Sequence, residues 1–216
     1  MSSLIFHIDS SQALIATDTL AVSTDGKPLM FTTKALLLPH MNMVMVGTGL
    51  GGFLDRWVLI VNSGLIVPGI DALNSHTQRH LNAIWGGIKE QFPDLDRTTT
   101  VYHIGISEGD GDIHAYAYRS ENGFIGEPLG YGMRVKPECT VAGDYSLPGD
   151  LLAMMQEQRK IQSDKPIGER VYIGGEIVVH HLQRSGCNVY VAEKFPDYEE
   201  TIKAIYDRFR PDGSHK

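Results

Sequence analysis

The chain has 216 residues, 42% of them hydrophobic, with 19 Lys and Arg set against 26 Asp and Glu for a formal net charge of −7. That length and apolar content suffice for a large core, and the expectation is a single domain over residues 1–216. The acidic balance, with no Lys/Arg cluster longer than a pair, excludes a phosphate-neutralising surface, so no nucleic-acid partner is expected.

The opening Met-Ser-Ser-Leu-Ile-Phe-His-Ile-Asp has neither a basic segment nor an apolar run of signal-peptide length. A run of about 18 apolar residues occurs nowhere, so the expectation is a cytoplasmic protein with no membrane partner. Short β-rich runs follow at Leu4–Ile8, Ala13–Thr17, Phe31–Leu38 and Met43–Val46, with Asp9-Ser10 and Asp25-Gly26 as turns. The Met41, Met43, Met45 alternation marks one face of a strand and reads as adaptable core packing. Gly52–Asn62 reads as a helix with Leu54, Trp57, Val58 and Val61 on its apolar face. A longer helix spans Ile70–Phe92, because Leu73, Thr77, Leu81, Ile84, Trp85, Ile88 and Phe92 recur at helical spacing.

Strand character returns at Thr99–Ser107 and Ile113–Tyr118, and Glu121-Asn122-Gly123 supplies the Asn-Gly turn favoured in hairpins. A third helix is expected over Pro148–Gln162, strands over Glu176–Leu182 and Asn188–Val191 about the turn Arg184-Ser185-Gly186, and a terminal helix over Tyr198–Phe209. Cys139 and Cys187 are the two cysteines, too few for a disulfide framework or a structural zinc site, and they read as reduced thiols. His76 and His80 lie at i and i+4 on the long helix without the Glu of the metalloprotease pattern, and His180 and His181 point to opposite faces of a strand. All four read as structural or interface groups, and neither a metal nor a cofactor is expected. Strands, helices, strands, helix, strands, helix is a block order that suits two stacked sheets between helical layers better than a doubly wound parallel sheet.

Two constellations carry chemistry. Gly47-Thr48-Gly49-Leu50-Gly51-Gly52 contains the glycine spacing of a dinucleotide fingerprint, follows a strand, opens a helix and is trailed by Asp71. A dinucleotide-binding enzyme is therefore one alternative. The other constellation starts at the N-terminus. Once Met1 is removed, Ser2 carries both a hydroxyl and a free amine, and the amine can act as the base for its own side chain. A lysine nearby favours the deprotonated nucleophile, an aspartate orients that lysine, and a glycine turn offers a backbone N–H to the developing oxyanion. Asp18, Lys34 and Gly49 are the candidates.

These residues are where the chain resembles the catalytic β-subunits of the proteasome and the related bacterial protease subunits. Ser2 and Asp18 stand sixteen residues apart and Ser2 and Lys34 thirty-two, matching that family's nucleophile, aspartate and lysine without a gap, and Gly49 matches its oxyanion glycine with one residue inserted. The match covers residues 2–60 most closely. Where the family has a Gly-Ser-Gly-Ser turn, this chain has Ala142-Gly143-Asp144-Tyr145-Ser146, and the Asp-x-x-Ser-Gly-Gly signature stands as Arg170-Val171-Tyr172-Ile173-Gly174-Gly175. The resemblance implies an N-terminal-nucleophile (Ntn) hydrolase-like α/β (α+β) fold, a four-layer αββα sandwich of two stacked antiparallel sheets between helical layers. It also implies a peptide or small amide as substrate, Ser2, Asp18, Lys34 and Gly49 as catalytic residues, and a homo-oligomer, ring-like in the family. A non-catalytic assembly protein that keeps this fold is a further alternative.

Overall fold

The computed structural model of the chain describes residues 3–23, 25–141 and 143–209. The run Leu-Ile-Phe-His-Ile forms β1 (Leu4–Ile8) and turns into β2 (Gln12–Asp18). The Asp9 carboxylate closes that turn by accepting the N–H groups of Ser11 at 2.7 Å and Gln12 at 3.0 Å, the usual service of a turn aspartate. Then come β3 (Leu20–Val22), β4 (Pro28–Phe31), β5 (Ala35–Leu38), β6 (Met43–Thr48), α1 (Phe53–Gly64) and α2 (Ile70–Gln91). The rest of the chain adds β7 (Thr100–Ile106), β8 (Ile113–Arg119), β9 (Glu127–Pro128), β10 (Gly132–Lys136), α3 (Gly149–Ser163), β11 (Glu176–Gln183), β12 (Gly186–Lys194) and α4 (Tyr198–Phe209).

Two five-stranded antiparallel sheets result, ordered β10-β1-β2-β11-β12 and β5-β6-β7-β8-β9, with β3-β4 as a separate two-stranded ribbon. Successive strand side chains point to opposite faces. In β6 that alternation sends Met43 and Met45 into a core with Trp57, Leu73 and Leu81 of the α1-α2 pair. Val44 and Val46 go the other way, into a core with Phe6 and Ile15 of the first sheet. Ile5 of β1 meets Leu151 and Met155 of α3 in a third core. Both faces of β1 and β6 are thus largely buried, which is why both strands are mostly apolar, with His7 the one polar residue in β1.

The largest fully buried side chain is Trp57 on α1. Its Nε1–H donates to His103 Nε2 of β7 at 2.8 Å, and burial holds the His103 imidazole down to about 3, so the ring is neutral and free to accept. The α4 helix lies on β4, with Tyr198 stacked on Phe31 at 5.1 Å between ring centroids and Arg208 donating to the Pro28 carbonyl at 3.0 Å. Among the described residues no helix is long and apolar enough to cross a membrane.

Several expectations change. The run Phe31–Leu38 is two strands, because Phe31 ends the β3-β4 ribbon and Ala35 begins the second sheet; Thr32 N–H bonds the Thr19 carbonyl between them. At Asn122-Gly123 a 3₁₀ turn over Ser120–Asn122 replaces the two-residue hairpin, and Phe124 dives into the α1 core to stack on Phe53. Phe92 follows the end of α2 instead of extending its buried stripe, and it is 59% exposed.

Candidate active site

Asp18 is the last residue of β2, and Lys34 directly precedes β5, so their pairing joins one five-stranded sheet to the other. Lys34 Nζ lies 2.7 Å from Asp18 Oδ1, with the carboxylate at 0% and the lysine at 8% exposure. The ammonium also donates to the Leu20 carbonyl at 2.7 Å. An ammonium has three donors, and the third has no partner among the described residues.

Asp18 is fully engaged. Its Oδ1 also accepts the Ser3 N–H at 2.9 Å, and its Oδ2 accepts the Gly174 N–H at 3.2 Å. Ser3 is buried, and its hydroxyl donates to Gln158 Oε1 at 2.5 Å; the amide of Gln158, on α3, donates to the Pro137 carbonyl. These contacts hold the start of β1 beside the ion pair. Ser2, the candidate nucleophile, lies outside the described residues, but it is covalently attached to the residue that Asp18 grips.

Lys34 and Gly49 line one cleft of about 150 Å³, together with Leu20, Thr48, Asp55 and Arg97. Gly49 has φ +104, and a Cβ there would sit 2.1 Å from the Thr98 carbonyl oxygen, so backbone conformation and space both demand glycine. Its N–H, outside the strand ladder, has no hydrogen-bond partner among the described residues. The structure therefore brings Asp18, Lys34 and Gly49 to one place. A second cavity, of about 620 Å³, lies between the end of β10 and α3, lined by Lys136, Cys139, Gln162 and Val171. Neither Lys34 nor Gly49 lines it.

The dinucleotide alternative fails on topology. β6 lies between antiparallel β5 and β7, and α1 is followed by α2 instead of a parallel strand, so no βαβ unit forms around the glycine turn. Gly47 is there for packing, since a Cβ would fall 2.8 Å from Leu54 Cβ of α1. Asp71 sits in the first turn of α2, whose other end borders Gly51 and Gly52 through Ile88. At 1.5 Å per residue Asp71 and Ile88 are about 25 Å apart along the helix, too far for a ribose contact. The Asp71 carboxylate instead accepts from the Tyr116 hydroxyl and faces His114 Nδ1, each at 2.8 Å. Burial, and then the bond to Asp71, push the Tyr116 phenol up to about 12.

Of the histidines, His80 lies 5.8 Å from the Trp57 ring, and His180 is buried while His181 Nε2 meets Gln12 Oε1 at 2.8 Å. Among the described residues no group of three or more His, Cys, Asp or Glu is placed to hold a metal ion. The positions where the resemblance has an acid and a hydroxyl serve packing here. Arg170 caps the end of α3 by donating to the carbonyls of Ser163 at 2.5 Å and Lys165 at 2.9 Å, and Ile173 is buried against α3. Ala142, in the other divergent turn, lies outside the described residues. Ser3, Gln158 and Gly174 were not singled out as site residues from sequence; the one signal was the retained Gly174-Gly175 pair.

No family model matches the sequence, and no curated protein matches it. Solved structures do. An Anbu (ancestral beta-subunit) protein from Yersinia bercovieri aligns over 99% of this chain and 100% of its own, with TM-score 0.59 and 9% identity. An Anbu (Gly-1) mutant from Hyphomicrobium sp. strain MC1 aligns over 97% of this chain and 95% of its own, with TM-score 0.61 and 11% identity. The assignment to the proteasome β-subunit family is thereby corrected, because these neighbours are proteasome-like but form a distinct Anbu family. The spacing of Ser2, Asp18 and Lys34 misled at that level for a physical reason. Asp18 ends β2 and Lys34 directly precedes β5, so their places in the sequence follow from the strand layout and do not by themselves single out one family. Identities of 9% and 11% carry the fold alone: a mixed α+β architecture built on antiparallel sheets, like that of the Anbu neighbours.

Proposed function

We propose that this chain is an N-terminal-nucleophile amide or peptide hydrolase in which Ser2, freed by removal of Met1, is the nucleophile. The observation that carries the reading is the Asp18 carboxylate, which holds the Lys34 ammonium and the Ser3 N–H together at 2.7 and 2.9 Å beside the Gly49 cleft. In the proposed reaction the Ser2 hydroxyl passes its proton to its own amine and its oxygen adds to the amide carbonyl. Lys34 stabilises the alkoxide with its remaining donor, Asp18 orients Lys34, and the Gly49 N–H binds the oxyanion. Collapse expels the amine with the proton and leaves an ester on Ser2, which water hydrolyses. The architecture proposed with it is one domain in four layers, αββα, which the three separate cores support.

The test is the mass of the purified N-terminus and of its adduct with an electrophilic amide-hydrolase inhibitor. The expected result is a chain beginning at Ser2 with one inhibitor attached there, and no adduct in Ser2→Ala. A retained Met1 blocks the proposed base and sinks the mechanism. That result would favour a non-catalytic protein of the same fold, the reading supported by Arg170 and Ile173 standing where the resemblance has an acid and a hydroxyl.

The reading includes a homo-oligomer. Leu59 of α1 is 65% exposed and Tyr206 of α4 64%, apolar helix positions suited to contact between copies. Light scattering at micromolar concentration is expected to report several times the mass of one chain, and a strictly monomeric peak would rule the assembly out.

A further inference from the structure

Beyond the glycine turn a third cavity, of about 320 Å³, adjoins the Lys34 cleft. Leu50, Ile88, Phe92 and Leu95 supply its apolar lining, and Arg56 and Arg97 stand beside them. The two spaces share Leu50, Gly51, Gly52 and Arg97. A Cβ at Gly51 or Gly52 would meet nothing within 4 Å, so the wall between the two is bare backbone with open space beside it. A ligand lying across this turn reaches both.

The charges are the informative part. In a chain of net charge −7, two exposed guanidiniums flank one apolar pocket, and neither has an ion-pair or hydrogen-bond partner among the described residues. A guanidinium presents a planar fork of donors that matches a carboxylate, and two beside an apolar pocket match a carboxylate attached to an apolar group. The volume lies at the small end of the roughly 300–1,000 Å³ range of ligand sites, which suits a single terminal residue.

We propose that this pocket takes the free carboxylate and apolar side chain of a peptide's C-terminal residue, so that short peptides or N-acyl amino acids ending in an apolar residue are the preferred ligands of the neighbouring site. Calling them substrates rests on the hydrolase reading; their binding does not.

Calorimetric titration of the Ser2→Ala chain, which removes turnover, with acetyl-phenylalanine and with acetyl-phenylalaninamide separates the two questions. The carboxylate is expected to bind about tenfold or more tighter than the amide, the increment of a charge-assisted hydrogen bond. Arg56→Gln and Arg97→Gln should each shrink that ratio and the double variant erase it, while Phe92→Ala weakens both ligands alike. All three side chains are exposed, so the variants should melt with the parent. Equal binding of the two ligands, or a ratio unchanged in the double variant, overturns the proposal. Loss of the ratio with inhibitor labelling of Ser2 intact removes the subsite and leaves the hydrolase; an intact ratio without labelling leaves a carboxylate site with no hydrolysis.

Discussion

Lys34→Ala is expected to abolish both inhibitor labelling and any amide turnover, and to lower stability by about 3–5 kcal/mol, the usual result of removing one partner from a buried pair. The size follows from what remains. Asp18 is fully buried and would retain only the N–H groups of Ser3 and Gly174. Lys34→Arg should not restore turnover, because a planar guanidinium cannot occupy the place of a compact ammonium that reaches Asp18 Oδ1 and the Leu20 carbonyl at 2.7 Å each. Stability and chemistry separate in a double variant. Asp18→Asn with Lys34→Met removes both charges, and it should unfold closer to the parent than Lys34→Met alone while remaining inert. Urea unfolding of the four chains measures this. A Lys34→Ala chain as stable as the parent would show that the pair is not holding the two sheets.

Trp57→Ala should cost about 3–5 kcal/mol, as truncation of a large buried aromatic does, with no direct effect on the site. Trp57 is 0% exposed and packs in the core with Met43, Met45 and Leu73. Trp57→Phe keeps most of the apolar area but withdraws the donor from His103 Nε2, leaving a buried acceptor unpaired at about 1–3 kcal/mol. His103 has little recourse: it is fully buried, and its Nδ1 already has no partner among the described residues. Denaturant midpoints should therefore fall in the order parent, Trp57→Phe, Trp57→Ala. Equal losses in the two variants would mean that the hydrogen bond, and not the packing, carries the effect.

Most of the architecture was legible in the sequence because it rests on long periodic segments. β1 and α4 have the expected bounds, and α2 ends one residue short, because their apolar spacing continues to their ends. The strands that escaped notice are short and carry little β-propensity. β3 has three residues, β9 has two including Pro128, and β10 starts at Gly132 with φ +111. In the site, Asp18 and Lys34 could be found because charged side chains at fixed spacing leave a trace. The N–H groups of Ser3 and Gly174 could not, because every residue but proline has one and only the fold decides which is aimed at a carboxylate. Nothing in the sequence sets Gln158 apart from the other polar residues of α3, because its partner Ser3 lies 155 positions away.

The strand order also sets a timetable. In the second sheet, β5 to β9 are neighbours in the order in which they are made, so it can close as the chain lengthens. The first sheet cannot. Its two oldest strands, β1 and β2, lie in the middle and wait for flanks that come much later, β10 beside β1 and then β11 beside β2. Until Glu176–Gln183 has been synthesised, β2 keeps an open hydrogen-bonding edge and Asp18 lacks its Gly174 donor. A nascent chain that stops short of residue 174 therefore presents a sticky, unfinished β1-β2 hairpin, the kind of exposed edge that invites misassembly or chaperone capture.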